Sequence, residues 1–348
     1  MIVDAKGNLL AAPAEAHVNT VNTVGVMGAG VALQFRQAYP EMFRAYAAAC
    51  KAGEVQPGRM HIFERATFDN PKFIINFPTK RHWRGKSHME DIEAGLQALV
   101  ADVRRLRIKS IALPPLGCGN GGLDWEVVRP LIERAFARLP EVEVQLYSPA
   151  SAPKVDEIRI NTERPALTRG RSLVILLLDR YFLPGYRVSL LEIQKLAYFL
   201  QEAGEDLRLK YERGQYGPYA ESLHHVLQRM EGHYTRGYGD RTAKARTEIS
   251  LLPGAAEAAA PIAAASQEAN ARLSAVSALI TGFESPYGME LLSTVHWVSK
   301  EHSTAARSPE SAAEFVHAWS ARKAALFPER DIRVAWLRLK DLGWLPSH

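Results

Sequence analysis

Two glycine-rich runs are the residues of this 348-residue chain whose types and spacing most clearly suggest chemistry. The first is Gly25-Val26-Met27-Gly28-Ala29-Gly30 and the second is Gly117-Cys118-Gly119-Asn120-Gly121-Gly122. Glycine adopts backbone conformations closed to other residues and lets a ligand approach the main chain, so its N–H groups can meet an anion directly. A helix starting at the end of such a run adds the partial positive charge of its first turn. Two such runs in one small α/β unit suit a ligand with two phosphates and flanking sugars. Neither run ends in the Gly-Lys-Ser/Thr of an ATP-binding loop, and the first lacks the G-x-G-x-x-G spacing of a dinucleotide fold. Tight turns use the same glycines, so these residues alone point only to a phosphate-bearing small molecule.

The segment Lys80-Arg81-His82-Trp83-Arg84-Gly85-Lys86 mixes cations with an indole ring. That mixture serves single-stranded nucleic acid, with phosphates against the cations and a base on the ring. A solvated loop with Trp83 turned inward uses the same residues. Cys118 has no base partner nearby in the sequence and reads as a small loop filler rather than a nucleophile. The eleven histidines, including His224, His225 and His233, show no zinc spacing, and neither a metal nor a cofactor is expected.

The elements that must hold these residues alternate over the first 150 positions. Strands are expected at His17–Val21, Arg59–Glu64, Lys72–Phe77, Lys109–Leu116 and Val142–Tyr147, where apolar and β-branched residues dominate. Helices are expected at Gly28–Tyr39, at Met42–Lys51, from Met89 to Leu106 with Ile92, Leu96, Leu99 and Val103 on one face, and along Trp125, Val128, Ile132 and Phe136. This alternation implies a layered α/β domain over 1–150. Residues 151–170, rich in Pro, Ser, Ala and charges, read as a linker. The remainder, 171–348, reads as mainly helical, with Leu190, Ile193, Leu196, Ala197 and Leu200 forming one amphipathic face. Ala255–Asn270 is rich enough in alanine for either a helix or a loose connection.

Composition sets the outer limits. A chain of this length is expected to form two domains. The longest apolar run, Leu173–Leu178, is too short to cross a bilayer, and the N-terminus has no signal-peptide pattern. With only two cysteines, no disulfide framework is expected, and a cytoplasmic setting follows. The +5 net charge is concentrated early, with 18 Lys/Arg against 15 Asp/Glu in residues 1–150, a bias compatible with phosphate-bearing ligands.

Taken together, Gly7-Asn8-Leu9-Leu10, His17-Val18-Asn19-Thr20-Val21-Asn22, Val26-Met27-Gly28-Ala29-Gly30-Val31-Ala32 and Pro115-Leu116-Gly117-Cys118-Gly119 resemble a macrodomain, the ADP-ribose-binding fold. Ile74-Ile75-Asn76-Phe77-Pro78-Thr79-Lys80 and Gly119-Asn120-Gly121-Gly122-Leu123-Asp124-Trp125 bring the resemblance closer to the DarG family, the antitoxins of DarT–DarG toxin–antitoxin pairs. The resemblance implies a three-layer α/β/α sandwich on a mixed sheet, followed by a mainly α-helical C-terminal domain. It implies that Met27, Gly28, Ala29, Gly30, Val31 and Ala32, together with Leu116, Gly117, Cys118, Gly119, Asn120, Gly121 and Gly122, hold the diphosphate and distal ribose. Thr20 and Thr79 would line the same site, Asn22 would meet the distal ribose hydroxyls, and Asn8 with Leu9 would lie by the adenine.

The activity implied is antitoxin hydrolysis of the N-glycosidic bond between ADP-ribose and thymidine in single-stranded DNA. Lys80 would be the catalytic group, as nucleophile, as base or through hydrogen bonds, its amine kept neutral by burial and by crowding from Arg81, Arg84 and Lys86. Arg81, Trp83, Arg84 and Lys86 would meet the DNA. The family pattern has Asp where Asn8 stands, and related glycohydrolases have Asp where Gly121 stands. Leu191–Phe199, Tyr211 and Tyr216-Gly217-Pro218-Tyr219 resemble the helical domain of SocA-like antitoxins, which implies that 171–348 binds and neutralises a DarT toxin. The alternatives are a reader that binds ADP-ribose without cleaving it and an antitoxin that acts by protein binding alone.

Overall fold

The computed structural model describes residues 1–151, 157–181, 188–239 and 244–346. The described residues form two compact units, Met1–Glu163 and a second from Arg164 onward.

In the first unit six strands make one sheet: β1 (Ile2–Ala5), β2 (Ala16–Asn22), β3 (His61–Glu64), β4 (Phe73–Lys80), β5 (Ser110–Leu113) and β6 (Glu143–Tyr147). Their order is β1-β6-β5-β2-β4-β3. All neighbours pair parallel except β3, which runs antiparallel to β4 at the edge. Four helices flank the sheet: α1 (Gly30–Ala38), α2 (Pro40–Lys51), α3 (Met89–Arg105) and α4 (Trp125–Phe136).

Side-chain alternation sorts the helices into two layers. Ile75, Phe77, Ile111, Leu113, Val144 and Leu146 pack with Ile92, Leu96, Leu99 and Val103 of α3 and Val128 and Ile132 of α4. Ile74, Ala112 and Tyr147 point the other way, against Phe35 of α1 and Met42 and Tyr46 of α2. The result is the α/β/α sandwich on a mixed sheet. Because five strands are parallel, the segments after β1, β2, β4 and β5 all emerge at one end of the sheet, where an open α/β sheet places its ligand.

Several strand ends differ from the sequence reading by one to three residues, and two of them do so through proline. β4 continues through Pro78 to Lys80 because β3 pairs only with Phe73–Asn76, so the missing N–H faces no partner strand. β5 ends at Leu113 because Pro114 and Pro115 cannot donate. Of the expected linker, residues 152–156 lie outside the described residues. Its later part is attached to the first unit: the Glu157 carbonyl accepts from Asn8 Nδ2 at 2.8 Å, Asn161 bonds the Gln37 and Ala38 carbonyls, and Ile158 is buried.

The second unit is mainly helical around one large core, with a smaller cluster of Ile175, Met230, Tyr234, Ala255 and Ala259. The alanine-rich stretch forms two helices, Ala255–Ala264 and Gln267–Ile280. One expectation is corrected. The helix Leu190–Glu202 is not amphipathic, since every residue from Leu190 to Leu200 is buried. Its polar members find internal partners: Ser189 and Glu192 form a reciprocal cap, Gln194 bonds both backbone groups of Ala220 through its amide, and the Lys195 amine donates to the Pro218 carbonyl at 2.6 Å. A helix satisfied in this way can be central rather than superficial.

Candidate active site

A register shift in β2 between Val21 and Asn22 makes Asn22 the neighbour of Lys80, the last residue of β4. The Lys80 amine reaches across to the second glycine run and donates to the carbonyl oxygen of Asn120. The two glycine runs also lie side by side, since a Cβ at Gly30 would stand 3.5 Å from Asn120 Nδ2. Residues far apart in sequence thus converge on one spot at the carboxyl end of the sheet.

The two runs offer different donors. The first leads straight into α1, whose N-cap Ala29 makes no side-chain hydrogen bond and whose first turn holds no acid. The leading N–H groups of α1 are therefore uncapped by side chains, the arrangement that favours an anion. In the second run Asp124 caps α4 through Glu126 N–H at 3.0 Å, so only the loop amides face the site. Gly117 and Gly122 have φ of +70° and +79°, values that other residues adopt only with strain.

Asn22 is engaged by its own loop: Oδ1 accepts from Val24 N at 3.0 Å and Val26 N at 3.3 Å, and Nδ2 donates to the Val26 carbonyl at 2.5 Å. The buried Tyr46 hydroxyl braces the same residue by donating to the Asn22 carbonyl at 2.5 Å. Sequence reasoning missed Tyr46, whose only signal was an aromatic residue on the inner face of α2. Asn8 caps the short turn Leu9–Ala11 through Leu10 N–H at 3.0 Å while donating to Glu157. An aspartate could not make that donation, which gives Asn8 a local reason in this chain. Leu9, Met27 and Leu116 bury their side chains in the core, so only their main chain can face a ligand.

Burial lowers the Lys80 amine from the ordinary lysine value. The expected crowding by like charges is not the cause. Arg81 is turned onto Asp91 at 3.1 Å, and Arg84 lies over the Trp83 ring at 4.5 Å. Trp83 itself faces outward, 45% exposed, with His82 beside it. The Thr23 hydroxyl donates to the Arg81 carbonyl at 2.7 Å, tying this cationic segment to the first glycine loop. Cys118 is half-buried and its thiol is pushed up to about 11 by burial, unsuited to attack as a thiolate. Among the described residues no three His, Cys, Asp or Glu side chains gather as a metal would require. No helix among them is long and apolar enough to cross a membrane.

In the second unit the motif residues also meet. Tyr198 packs edge-on to Tyr211 at 5.0 Å, and residues of the Gly214–Tyr219 hairpin line an open pocket of about 280 Å³ together with Leu190, Leu191 and Lys195.

The Macro domain family model matches residues 18–132. A DNA ADP-ribosyl glycohydrolase of Thermus aquaticus is 48% identical over 345 residues, spanning 99% of this chain and 94% of that protein. One from Mycobacterium tuberculosis is 44% identical over 353 residues, spanning 97% and 99%. A Thermosipho africanus DNA ADP-ribosyl transferase–DNA ADP-ribosyl glycohydrolase fusion protein is 37% identical over 145 residues, or 37% of each chain.

Proposed function

The chain belongs to the DNA ADP-ribosyl glycohydrolase family, and from that premise we propose that it frees thymidine in single-stranded DNA from ADP-ribose with Lys80 as the catalytic group. It is a hydrolase of the ADP-ribose glycosidic bond. The observation that carries the role of Lys80 is its place: a partly desolvated amine at a strand end, beside Asn22 and bonded to the loop opposite the α1 N-terminus.

In this reading the α1 amides and the loop of residues 117–122 grip the diphosphate and bring the anomeric carbon of the distal ribose to the amine. Hydrolysis breaks the bond from that carbon to the base nitrogen, forms a bond to water oxygen, and moves one water proton to the departing base. Burial raises the fraction of Lys80 with a free lone pair, the form that can take the water proton or attack the carbon itself. Trp83 with Arg84 supplies an outward platform for a neighbouring base, and Lys86 supplies a charge for the backbone.

The test is turnover of thymidine-linked ADP-ribosyl DNA by the parent and by Lys80→Ala. The parent is expected to release free ADP-ribose, and the variant to bind ADP-ribose without releasing it from DNA. Equal turnover by both would remove Lys80 from the chemistry. We propose further that 171–348 binds the cognate DarT-type toxin. A DarT-type partner is supported by the Thermosipho relative, which is named as a transferase–glycohydrolase fusion. Capture of the toxin by the full-length protein, lost on substitution within 171–348 but not at Lys80, is the expected result.

A further inference from the structure

Ser87 lies just before α3, is 6% exposed, and was not singled out by any sequence signal. Its N–H donates to the Gly121 carbonyl at 3.0 Å, but its buried Oγ has no hydrogen-bond partner among the described residues. The position a Gly121 Cβ would take is 2.3 Å from Ser87 Oγ and 2.1 Å from the Gly117 carbonyl oxygen. A Cβ at Gly117 would stand 3.1 Å from Ser87 Cβ and 3.2 Å from its Oγ. The hydroxyl therefore fills the inside of the second glycine loop, beside a carbonyl that accepts Leu123 N–H at 3.1 Å and keeps a second lone pair.

A buried hydroxyl without a partner bears a desolvation cost that a methyl group would avoid. If Ser87 only filled space, alanine would serve as well or better. We infer that Ser87 is a positioning residue of the reaction, whose hydroxyl latches the loop of residues 117–122 in its ligand-loaded form. The inference rests on the proposed role of Lys80. When a diphosphate draws on the loop amides, a small shift brings the Gly117 carbonyl within reach and the Ser87 hydroxyl donates to it. The loop is then fixed with the Asn120 carbonyl aimed at the Lys80 amine, so occupancy of the phosphate site sets the direction of the catalytic lone pair. Without the latch the substrate still binds, but the loaded loop can drift and carry the Asn120 carbonyl, which already accepts from Lys80 in the unloaded loop, away from the amine.

The experiment compares parent, Ser87→Ala and Lys80→Ala in thermal unfolding without ligand, ADP-ribose binding, and kcat and KM on thymidine-linked ADP-ribosyl DNA. Ser87→Ala is expected to unfold at the parent temperature or above, to bind ADP-ribose within about threefold of parent, and to lose about tenfold or more in kcat with KM little changed. A kcat within about twofold of parent overturns the inference, as does a fall in kcat accompanied by an equal loss of stability or of ADP-ribose binding. Lys80→Ala separates the two readings. If it turns over like the parent, the assignment of Lys80 fails. If it is inactive while Ser87→Ala is as fast as the parent, only the latch fails.

Discussion

Alanine at Gly121 probes whether the second run needs glycine for shape rather than for backbone conformation. Gly121 has no left-handed φ, so a Cβ strains no torsion there. It would nonetheless stand 2.1 Å from the Gly117 carbonyl oxygen and 2.3 Å from Ser87 Oγ. Ser87 can change rotamer, but the carbonyl is main chain and yields only if the loop moves. Overpacking of this kind costs roughly 1–3 kcal/mol. For a unit of this size that is about 2–12 °C in Tm. The same run supplies its own controls. Gly119 has nothing within 4 Å of its Cβ position and no left-handed φ, so alanine there should stay within about 0.5 kcal/mol of parent. Gly122 has equal space but a φ of +79°, and alanine should cost roughly 1–2 kcal/mol through torsion alone. Calorimetric unfolding without ligand reads all three. A Gly119→Ala variant as unstable as Gly121→Ala would refute the steric reasoning, because both would then report a generic need for flexibility. Turnover by Gly121→Ala should fall further than its stability, since the displaced loop carries the carbonyl that holds Lys80.

Glu290, 3% exposed, is held by Arg322 at 2.6 and 2.9 Å and by the fully buried Lys323 at 2.8 Å. Glu290→Gln should destabilise the second unit by roughly 3–5 kcal/mol in denaturant unfolding, and adding Lys323→Met should restore most of it, because the loss comes from an unpaired buried ammonium. His17, on β2, is fully buried and is depressed to about 4, chiefly by burial. The unfolded chain then binds the proton more readily, so stability is intact above the ordinary value of 6.5 and falls by about 3 kcal/mol as pH drops toward 4. His17→Gln should flatten that part of the pH–stability curve, and an unchanged slope would show that other groups govern it.

What could be read from the sequence was whatever local pattern determines. The face Ile92, Leu96, Leu99 and Val103 is buried as its spacing requires, and both glycine runs sit at the carboxyl end of the sheet. The short β1 was not legible. Four residues with Asp4 in the middle carry no period, and pairing with β6 is a contact across more than 130 positions. The helix Leu190–Glu202 was misread as one-sided because nothing local shows that Gln194 and Lys195 have internal acceptors. Within the proposed site, residue types pointed to the loops and the family resemblance to Lys80, but the parts that aim them were hidden. Tyr46 and Ser87 act through hydrogen bonds and contacts between distant segments, and neither looks special in a list of residues.

The arrangement around Lys80 also accounts for a cationic segment that places so little charge on its own lysine. A carboxylate beside the amine would favour the ammonium form and remove the lone pair. Asp91, at the start of α3 and only 5% exposed, is the acid that this segment engages, and Arg81 takes it with both of its carboxylate oxygens bonded. Lys80 is left with a neutral carbonyl acceptor, and its lowered affinity for the proton follows from burial with no opposing charge. Asn120 thus offers the amine an oxygen without charge, and the glycines on either side of it let that oxygen come close. In the proposed mechanism, it is burial beside an uncharged acceptor that suits a lysine at a strand end to act as base or nucleophile.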